Sequence, residues 1–281
     1  MKTIGLLHPG EMGGAVGAAA RAGGARVLWT SDARSAATRE RAGAAGLEDA
    51  GPLAALVRAS EVILSVCPPH AAADVARAVA ALRFAGTYVD ANAVAPATAR
   101  EVGGIVEKAG ARFVDGGIIG PPPAAPGTTR LYLSGAGAGA VAALFAAGPL
   151  EAVVVPGGPG AASAVKMAYG GWNKGSAALL LAACALAAAE GVGDALAAEW
   201  ARSQPGLAAR AEAAARSNAR KAWRFVGEME ETAAACAAAG LPAGFHEAAA
   251  EIYRRLERYK DAPTPPLDEV LRALVPPRPG A

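Results

Sequence analysis

Lys166 sits near the start of an otherwise almost purely apolar stretch, Gly160-Ala-Ala-Ser-Ala-Val-Lys166-Met-Ala-Tyr169-Gly170. An ammonium desolvated in such a setting has its pKa drawn toward neutrality, where it can take a proton from a reacting hydroxyl or return one to a forming alkoxide. The competing reading is a lysine that snorkels to solvent at a helix start. Helical spacing sets positions 166, 169, 170 and 173 on one face and so predicts Tyr169, Gly170 and Asn173 beside Lys166.

A second constellation lies at the N-terminus, where Ile4 to Gly17 read as a buried strand, a tight turn and a small-residue helix. The turn is His8-Pro9-Gly10-Glu11-Met12-Gly13. Such a turn cradles a dinucleotide pyrophosphate: Gly10 lets backbone approach the phosphates, Gly13 lets the helix pack on the strand, and free N–H groups at the helix start hold the anion. His8 stands where the first glycine of a G-x-G-x-x-G turn normally sits, so the signal rests on the strand before it and the helix after it. The end of the second strand selects between dinucleotides, an acid suiting a 2′-hydroxyl and a small polar residue followed by Arg suiting a 2′-phosphate. Ser31 holds that position; Asp32 follows and would serve NAD, but Arg34, Ser35 and Arg39 cluster behind it as phosphate donors. NADP is the expected cofactor and NAD the alternative.

The elements that must position these residues follow from patterning. Strand-like runs recur at Thr3–Leu7, Arg26–Thr30, Glu61–Val66, Thr87–Asp90, Arg112–Asp115, Leu131–Ser134 and Ala152–Val155, each separated by a helix-like segment. That alternation predicts an α/β fold with a doubly wound, Rossmann-type, mostly parallel sheet. After Pro156-Gly157-Gly158-Pro159-Gly160 the pattern becomes helical up to Tyr259, interrupted near Gln204-Pro205-Gly206 and Gly240-Leu241-Pro242. The expected domains are 1–157, binding the nucleotide, and 158–281, all α. The proline-rich tail from Pro263 is expected to wrap or fray. Alanine-rich helices have slim apolar faces and must pack closely, and a core of that kind is often completed by a second subunit, so a homodimer is expected. The apolar run Ala177 to Ala189 is too short to span a bilayer and reads as a buried helix.

The chain has 281 residues, 53% apolar and 19% charged, with a formal net charge of +2 and its charges scattered, so no footprint for nucleic acid is visible. Cys67, Cys184 and Cys236 have neither disulfide nor zinc spacing and suggest reduced thiols and a cytoplasmic protein, and Met1-Lys2-Thr3-Ile4 opens no secretory leader. His8 reads as a turn residue near the nucleotide and His70 as the start of a helix. His246 in Gly244-Phe245-His246 reads as capping or packing, with reach toward a substrate across a dimer as the alternative. Trp223, with Lys221 and Arg224, lines a pocket or covers the helical core.

Several stretches, taken in order, resemble the β-hydroxyacid dehydrogenase superfamily, which includes 3-hydroxyisobutyrate and 6-phosphogluconate dehydrogenases and the imine reductases. Gly10-Glu11-Met12-Gly13 resembles its G-x-M-G, Ser65-Val66-Cys67-Pro68 its T-M-L-P, Asp90-Ala91-Asn92-Ala93-Val94-Ala95-Pro96 its D-x-S-T-x-x-P, and Val114-Asp115-Gly116-Gly117-Ile118-Ile119-Gly120 its D-A-P-V-S-G-G. Gly127-Thr128-Thr129-Arg130-Leu131 resembles the G-T-L segment that follows, and Gly160 to Gly170 resembles G-x-G-x-x-x-K-x-x-N-N. The C-terminal half, with Lys166-Met-Ala-Tyr, Lys221-Ala-Trp-Arg-Phe-Val-Gly-Glu-Met-Glu-Glu and Gly244-Phe-His246, is similar to a bacterial branch whose 6-phosphogluconate-dehydrogenase-like domain has no assigned function.

The resemblance implies Lys166 as the catalytic acid/base. It implies His8, Pro9, Gly10, Glu11, Met12, Ser31, Arg34, Ser35, Val66, Cys67, Pro68 and Asn92 around the cofactor, and Asn92, Gly120, Tyr169, Gly170 and Asn173 around a small-molecule substrate. The departures are Tyr169 and Gly170 in place of the asparagines, Asn92 and Ile119 in place of serines, and Gly227-Glu228 in place of a K-D pair. The implied activity is NADP-dependent oxidation of a β-hydroxy acid or reduction of its carbonyl; imine reduction, or nucleotide binding without turnover, are the alternatives.

Overall fold

Thr3–Leu7 forms β1, and its Gly10-capped successor Glu11–Ala22 forms α1; Arg26–Trp29 is β2, Val62–Ser65 β4, Thr87–Asp90 β5, Arg112–Ile119 β6, Thr129–Ser134 β7 and Leu150–Val154 β8. A two-residue strand, Glu48–Asp49 (β3), also pairs with β2; nothing in so short and charged a run marks it as a strand. This is a computed structural model, which describes residues 1–275. The eight strands form one sheet in the order β3-β2-β1-β4-β5-β6-β7-β8, parallel except where β6 meets β7. The expected strands are all present; β6 runs four residues beyond the expected end, Asp115, to Ile119, because Gly116 and Gly117 continue the ladder against Leu133 and Tyr132.

Side chains alternate faces along a strand, and the two apolar cores follow that period. Val27, Trp29, Leu64 and Val89 pack on one face, Leu28, Ile63 and Tyr88 on the other, so helices cover both. The chain winds outward in both directions from the β1/β4 boundary, where ligands bind beyond the carboxyl ends of strands. The register aligns those ends: Leu7 pairs with Ser65, Ser65 with Asp90, and Asp90 with Asp115.

Two compact units divide the chain inside one long helix, α7 (Ala161–Ala189), at Met167/Ala168 rather than at the Gly/Pro cluster ending at Gly160. Asp115, buried at the middle of β6, explains the displacement. Its carboxylate accepts from Gly160 N (2.9 Å), Ser163 N (3.0 Å), Ser163 Oγ (2.6 Å) and Ser134 Oγ (3.0 Å), while Ala162 N donates to Ser134 Oγ at 3.1 Å. The first turn of α7 is therefore capped by the sheet itself, and belongs to it.

The second unit comprises the rest of α7 with Gly193–Ser203 (α8), Leu207–Asn218 (α9), Ala222–Ala238 (α10), Gly244–Arg255 (α11) and Leu267–Leu274 (α12), counting Leu53–Ala59, Ala72–Ala81, Pro96–Lys108 and Ala138–Ala142 as α3 to α6 and Ala36–Ala44 as α2. Its core is built from alanines interleaved with Leu181, Met229, Tyr253 and Leu256. The proline-rich segment from Pro263 wraps onto this core, with Val270 and Leu274 burying one face of α12; residues 276–281 lie outside the described residues. One expectation is corrected: the Ala177–Ala189 run is buried on one face only, with Ala178, Leu181 and Ala185 in the core and Leu179 and Leu186 exposed, and it belongs to a helix of 29 residues, enough by length and composition to cross a bilayer.

Replacing Asp115 with Ala removes the acceptor for two backbone and two hydroxyl donors, and is expected to lower unfolding stability by about 2–4 kcal/mol in urea titrations. A loss under roughly 0.5 kcal/mol would show that α7 is held by other contacts.

Candidate functional site

All the loops bearing predicted nucleotide-binding residues leave the aligned carboxyl edge of the sheet. After Leu7 the chain turns at His8, whose φ of 64° is left-handed, and Gly10 N bonds back to His8 O at 2.8 Å. A histidine tolerates this backbone better than a branched residue does, and the conformation accounts for glycine being the common choice there. Gly13 is obligatory, because a Cβ would collide with the His8 carbonyl oxygen. At Gly10 a Cβ would meet nothing, and α1 has no side-chain cap, so its first N–H groups open onto uncrowded space. That combination is an anion cradle. Pro9 is buried, Met12 half-buried and Glu11 exposed at the rim.

Residues from three loops converge over the cradle. Arg34, in the loop after β2, is close enough to bias both His8 and Cys67 electrostatically, and its Nε is buried without a hydrogen bond among the described residues. His8 is held to a pKa of about 4 by burial first and by Arg34 second, and its Nδ1 makes no hydrogen bond among the described residues. Burial likewise pushes the Cys67 thiol up to about 12, so it packs as a neutral group. Ser31 is half-buried and hydrogen-bonds Asp49, and Ser35 caps Ala36–Ala44 by accepting from Thr38 N. Asp32 is exposed.

Asn92 is 2% exposed, and its carboxamide is committed within the protein. Oδ1 accepts from Cys67 N at 2.6 Å and Nδ2 donates to Ser65 Oγ at 3.2 Å, while its own N–H donates to Asp90. It therefore clamps the Val66-Cys67-Pro68 loop, in which Val66 is half-buried and Pro68 exposed, to the end of β5. In this structure it positions that loop. Gly120 lies at the exposed turn out of β6 with φ of 124°.

Lys166 is half-buried on the first unit's side of the division, next to β6. The close approach is made possible by Gly117: a Cβ there would stand 2.9 Å from both the Lys166 Cβ and the Ala162 carbonyl oxygen. With Asp115 two residues earlier capping the same helix, Lys166 is fixed at the carboxyl edge of the sheet. Asp115 is the functional residue that motif reading passed over; its position two before a Gly in the strand, with Ser134 and Ser163 to bond, was the available signal.

The residues beyond Ala168 are arranged differently from the expectation. Tyr169 is 47% exposed and Asn173 is exposed, whereas Gly170 is buried. The polar group near Gly170 is Lys174, whose Nζ would lie 3.8 Å from a Cβ at that position. Lys174 pairs with Glu228 at 2.9 Å, so the glutamate that follows Gly227 takes its ammonium from α7 rather than from its neighbour. His246 packs against Gly171 and Gly175, with Nδ1 3.7 Å from Cys236 Sγ, in keeping with packing. Trp223 is half covered by Lys260, 4.4 Å from its ring, and His70 lies exposed in a single 3₁₀ turn ahead of α4.

Residues 187–256 match a domain of unknown function, DUF1932. No curated protein matches the chain. Among solved structures, the conserved protein MTH1747, described as structurally similar to 3-hydroxyacid dehydrogenases, is 26% identical over 91% of this chain and 97% of its own, with a TM-score of 0.69. The Mycobacterium tuberculosis 3-hydroxyisobutyrate dehydrogenase, solved with L-serine, is 21% identical over 98% and 99% of the two chains, with a TM-score of 0.70. An Aspergillus terreus reductive aminase in complex with NADPH and ethyl levulinate shares 23% identity over 98% and 100%, with a TM-score of 0.57.

The His8 imidazole is neutral in the folded protein down to about pH 4 but titrates near 6.5 when exposed. Below pH 6.5 the unfolded chain binds the extra proton, so the stability due to this group is complete above that pH and is lost as pH falls toward 4. Asparagine accepts a left-handed backbone and does not titrate. His8→Asn should therefore flatten the decline of the urea midpoint between these pH values, and an unchanged slope would place the acid sensitivity elsewhere.

Proposed function

We propose that this chain, whose fold is shared with 3-hydroxyacid dehydrogenases, is a member of the β-hydroxyacid dehydrogenase superfamily and an NADP(H)-dependent oxidoreductase of small β-hydroxy acids or their carbonyl counterparts, with Lys166 as the acid/base. The observation that carries this is the seating of Lys166 against Gly117 at the same carboxyl edge from which the His8, Arg34, Cys67 and Asn92 loops emerge.

The residues present suit a dinucleotide phosphate. The open face at Gly10 and the uncapped start of α1 admit a pyrophosphate, and Arg34, with Ser31 and Ser35 beside it, supplies the donors a 2′-phosphate needs. A nicotinamide bound there accepts or supplies the hydride. In oxidation the neutral Lys166 amine takes the hydroxyl proton as the carbonyl forms; in reduction its ammonium returns that proton to the alkoxide oxygen. Asn92 keeps the Cys67 loop in place, and Asp115 keeps α7 and hence Lys166 from drifting. Reduction of an imine is the second reading. It is favoured by Tyr169 and Gly170 standing where the superfamily pattern has asparagines.

A homodimer belongs to the same proposal. Among the described residues α8 buries no side chain, though it carries Leu196 and Trp200, and Trp172, Leu179 and Leu186 are exposed on α7 at seven-residue spacing, on one face. Faces of this kind are covered by another subunit. Sedimentation velocity should give twice the chain mass, falling to the monomer in Trp172→Glu/Leu179→Glu; a monomer in the parent protein sinks the dimer.

The enzyme reading is tested by fluorescence titration with NADPH and NADH, NADPH binding the tighter, and by absorbance assays against β-hydroxy acids, β-keto acids and cyclic imines. Lys166→Ala should lower turnover by roughly 10²–10⁴-fold while changing NADPH affinity less than about threefold. Equal loss of both would make Lys166 structural, and NADPH binding without turnover on any panel would leave a binding module.

A further inference from the structure

His8 carries two costs that a glycine in its place would not. Its backbone is left-handed, with φ of 64°, where a side chain is strained, and its half-buried ring holds Nδ1 away from water without a hydrogen bond among the described residues. The turn cannot relax out of this conformation, since Gly10 N bonds to the His8 carbonyl at 2.8 Å and Gly13 brings the start of α1 against that same carbonyl. The direction in which the imidazole leaves the backbone is thereby fixed. In the loop after β2, Arg34 Nε is also buried and unbonded among the described residues. Burial, and after it the guanidinium of Arg34, keeps the His8 ring uncharged down to about pH 4. Two polar groups within the first unit thus stand close together with hydrogen-bonding capacity unused.

The ionisable groups around this corner are engaged elsewhere or lie at its rim. Burial holds Cys67, in the loop after β4, as a neutral thiol with its pKa raised to about 12. Asp90, at the end of β5, accepts from Asn92 N and acts on Cys67 and Tyr88, while Asp49 of β3 bonds Ser31 and Gly51 N. Asp32 and Glu11 are exposed. Among the described residues no carboxylate is recorded acting on either His8 or Arg34, so the positive charge here is not balanced by the protein. The adjoining face of α1 is bare: a Cβ at Gly10, or at Gly14 one turn on, would meet nothing within 4 Å. Open space, unused donors and unbalanced positive charge coincide, and together they describe a site for an anion.

We propose that His8 is a specificity residue that binds a phosphate group of the dinucleotide as its imidazolium, jointly with Arg34, so that nucleotide binding draws a proton onto the ring. The proposal rests on the oxidoreductase reading, and it adds to that reading which side chain of the turn reads phosphate. Without an anion, a proton on His8 would be desolvated and would face the guanidinium at close range. With a phosphate within reach of both groups, attraction outweighs that repulsion, an effect of roughly one to three pKa units for an opposite charge about 4–6 Å away. The proton is taken from the medium when the nucleotide binds and returned when it leaves. No bond to the nucleotide is made or broken. A glycine at position 8 would ease the backbone but could neither hold nor release that proton.

The test is calorimetric titration of the full chain with NADP⁺ and with NAD⁺ at about pH 5.5 and pH 8, in two buffers of different ionisation enthalpy so that protons taken up are counted. His8→Gly, which relieves the turn, and His8→Asn, which keeps a side chain there that does not titrate, are measured beside the parent. A 2′-phosphate itself titrates near pH 6, but it does so against all three proteins, so the difference between them belongs to His8. For a rise of roughly two pKa units on binding, the parent at about pH 5.5 should take up about 0.7 proton more than either variant and bind NADP⁺ about fourfold more tightly than they do, a margin that closes at pH 8. The same excess with NAD⁺ assigns the contact to the pyrophosphate, and an excess with NADP⁺ alone assigns it to the 2′-phosphate. A merely structural histidine would change affinity equally at both pH values with no excess proton. Proton uptake equal in parent and variants therefore overturns the role of His8. Failure of the parent to bind either dinucleotide, oxidised or reduced, would instead overturn the oxidoreductase reading, and this inference with it.

Discussion

One buried carboxylate organises the first unit of this molecule. Asp115 lies on a central strand, 0% exposed, and collects four donors, of which three come from Gly160 and Ser163 at the start of α7. A carboxylate so placed can exist only if its lone pairs are filled, and the free N–H groups of a helix N-terminus are the one part of a protein that needs acceptors in return. The two deficits cancel each other. What results is a helix whose origin is referenced to the sheet, and Lys166, one turn past Ser163, inherits that reference. Gly117 completes the arrangement by removing the side chain that would hold the helix off the strand.

The nucleotide edge is built on the opposite principle: donors are left open rather than filled. The start of α1 has no side-chain cap, the Gly10 face is bare, and Arg34 lies over the loops with an unbonded Nε. Such a surface is costly without an anion and favourable with one. Its rigidity comes from groups that face inward. Asn92 ties the Cys67 loop to Asp90, and the Gly10-to-His8 backbone bond closes the first turn.

How much of this was legible in the sequence depends on how local the cause was. Strand positions were readable to within a residue or two because burial on both faces forces continuous apolar runs, as in Ile63-Leu64 and Val89. The extension of β6 through Gly116 and Gly117 was not readable, since glycines carry no strand preference and only the partner strand β7 keeps them extended. The division between units at Met167/Ala168 was not readable for a related reason: a Gly/Pro cluster marks a turn, but which side a helix belongs to is decided by long-range bonds such as Asp115 to Ser163. On α7 the face shared by 166, 169, 170 and 173 was a fair reading of period. Yet a helix face is about a hundred degrees wide, and at its edges burial is decided by neighbours. Tyr169 and Asn173 fell outside it and Lys174 inside, because α10 brought Glu228 and Phe225 to that side.

The same reasoning explains why a chain so rich in alanine carries its polar groups where it does. Alanine faces give each helix of the second unit little apolar area, so position along and around a neighbour is weakly specified by packing alone. A few large or polar side chains must supply the specificity. Tyr253, Lys174 and Glu228 do so for α7, α10 and α11, each bond admitting one register: Tyr253 to the Lys174 carbonyl, Lys174 to Glu228. His246 does so by seating its ring on Gly171 and Gly175, the closer approach being at Gly171, where a Cβ would stand 3.0 Å from the ring Nε2. Polar groups that fix register are of necessity held still. Uniqueness of helix packing thus rests on a few atoms, and a substitution at Lys174 would disturb it unless its carboxylate partner were neutralised with it.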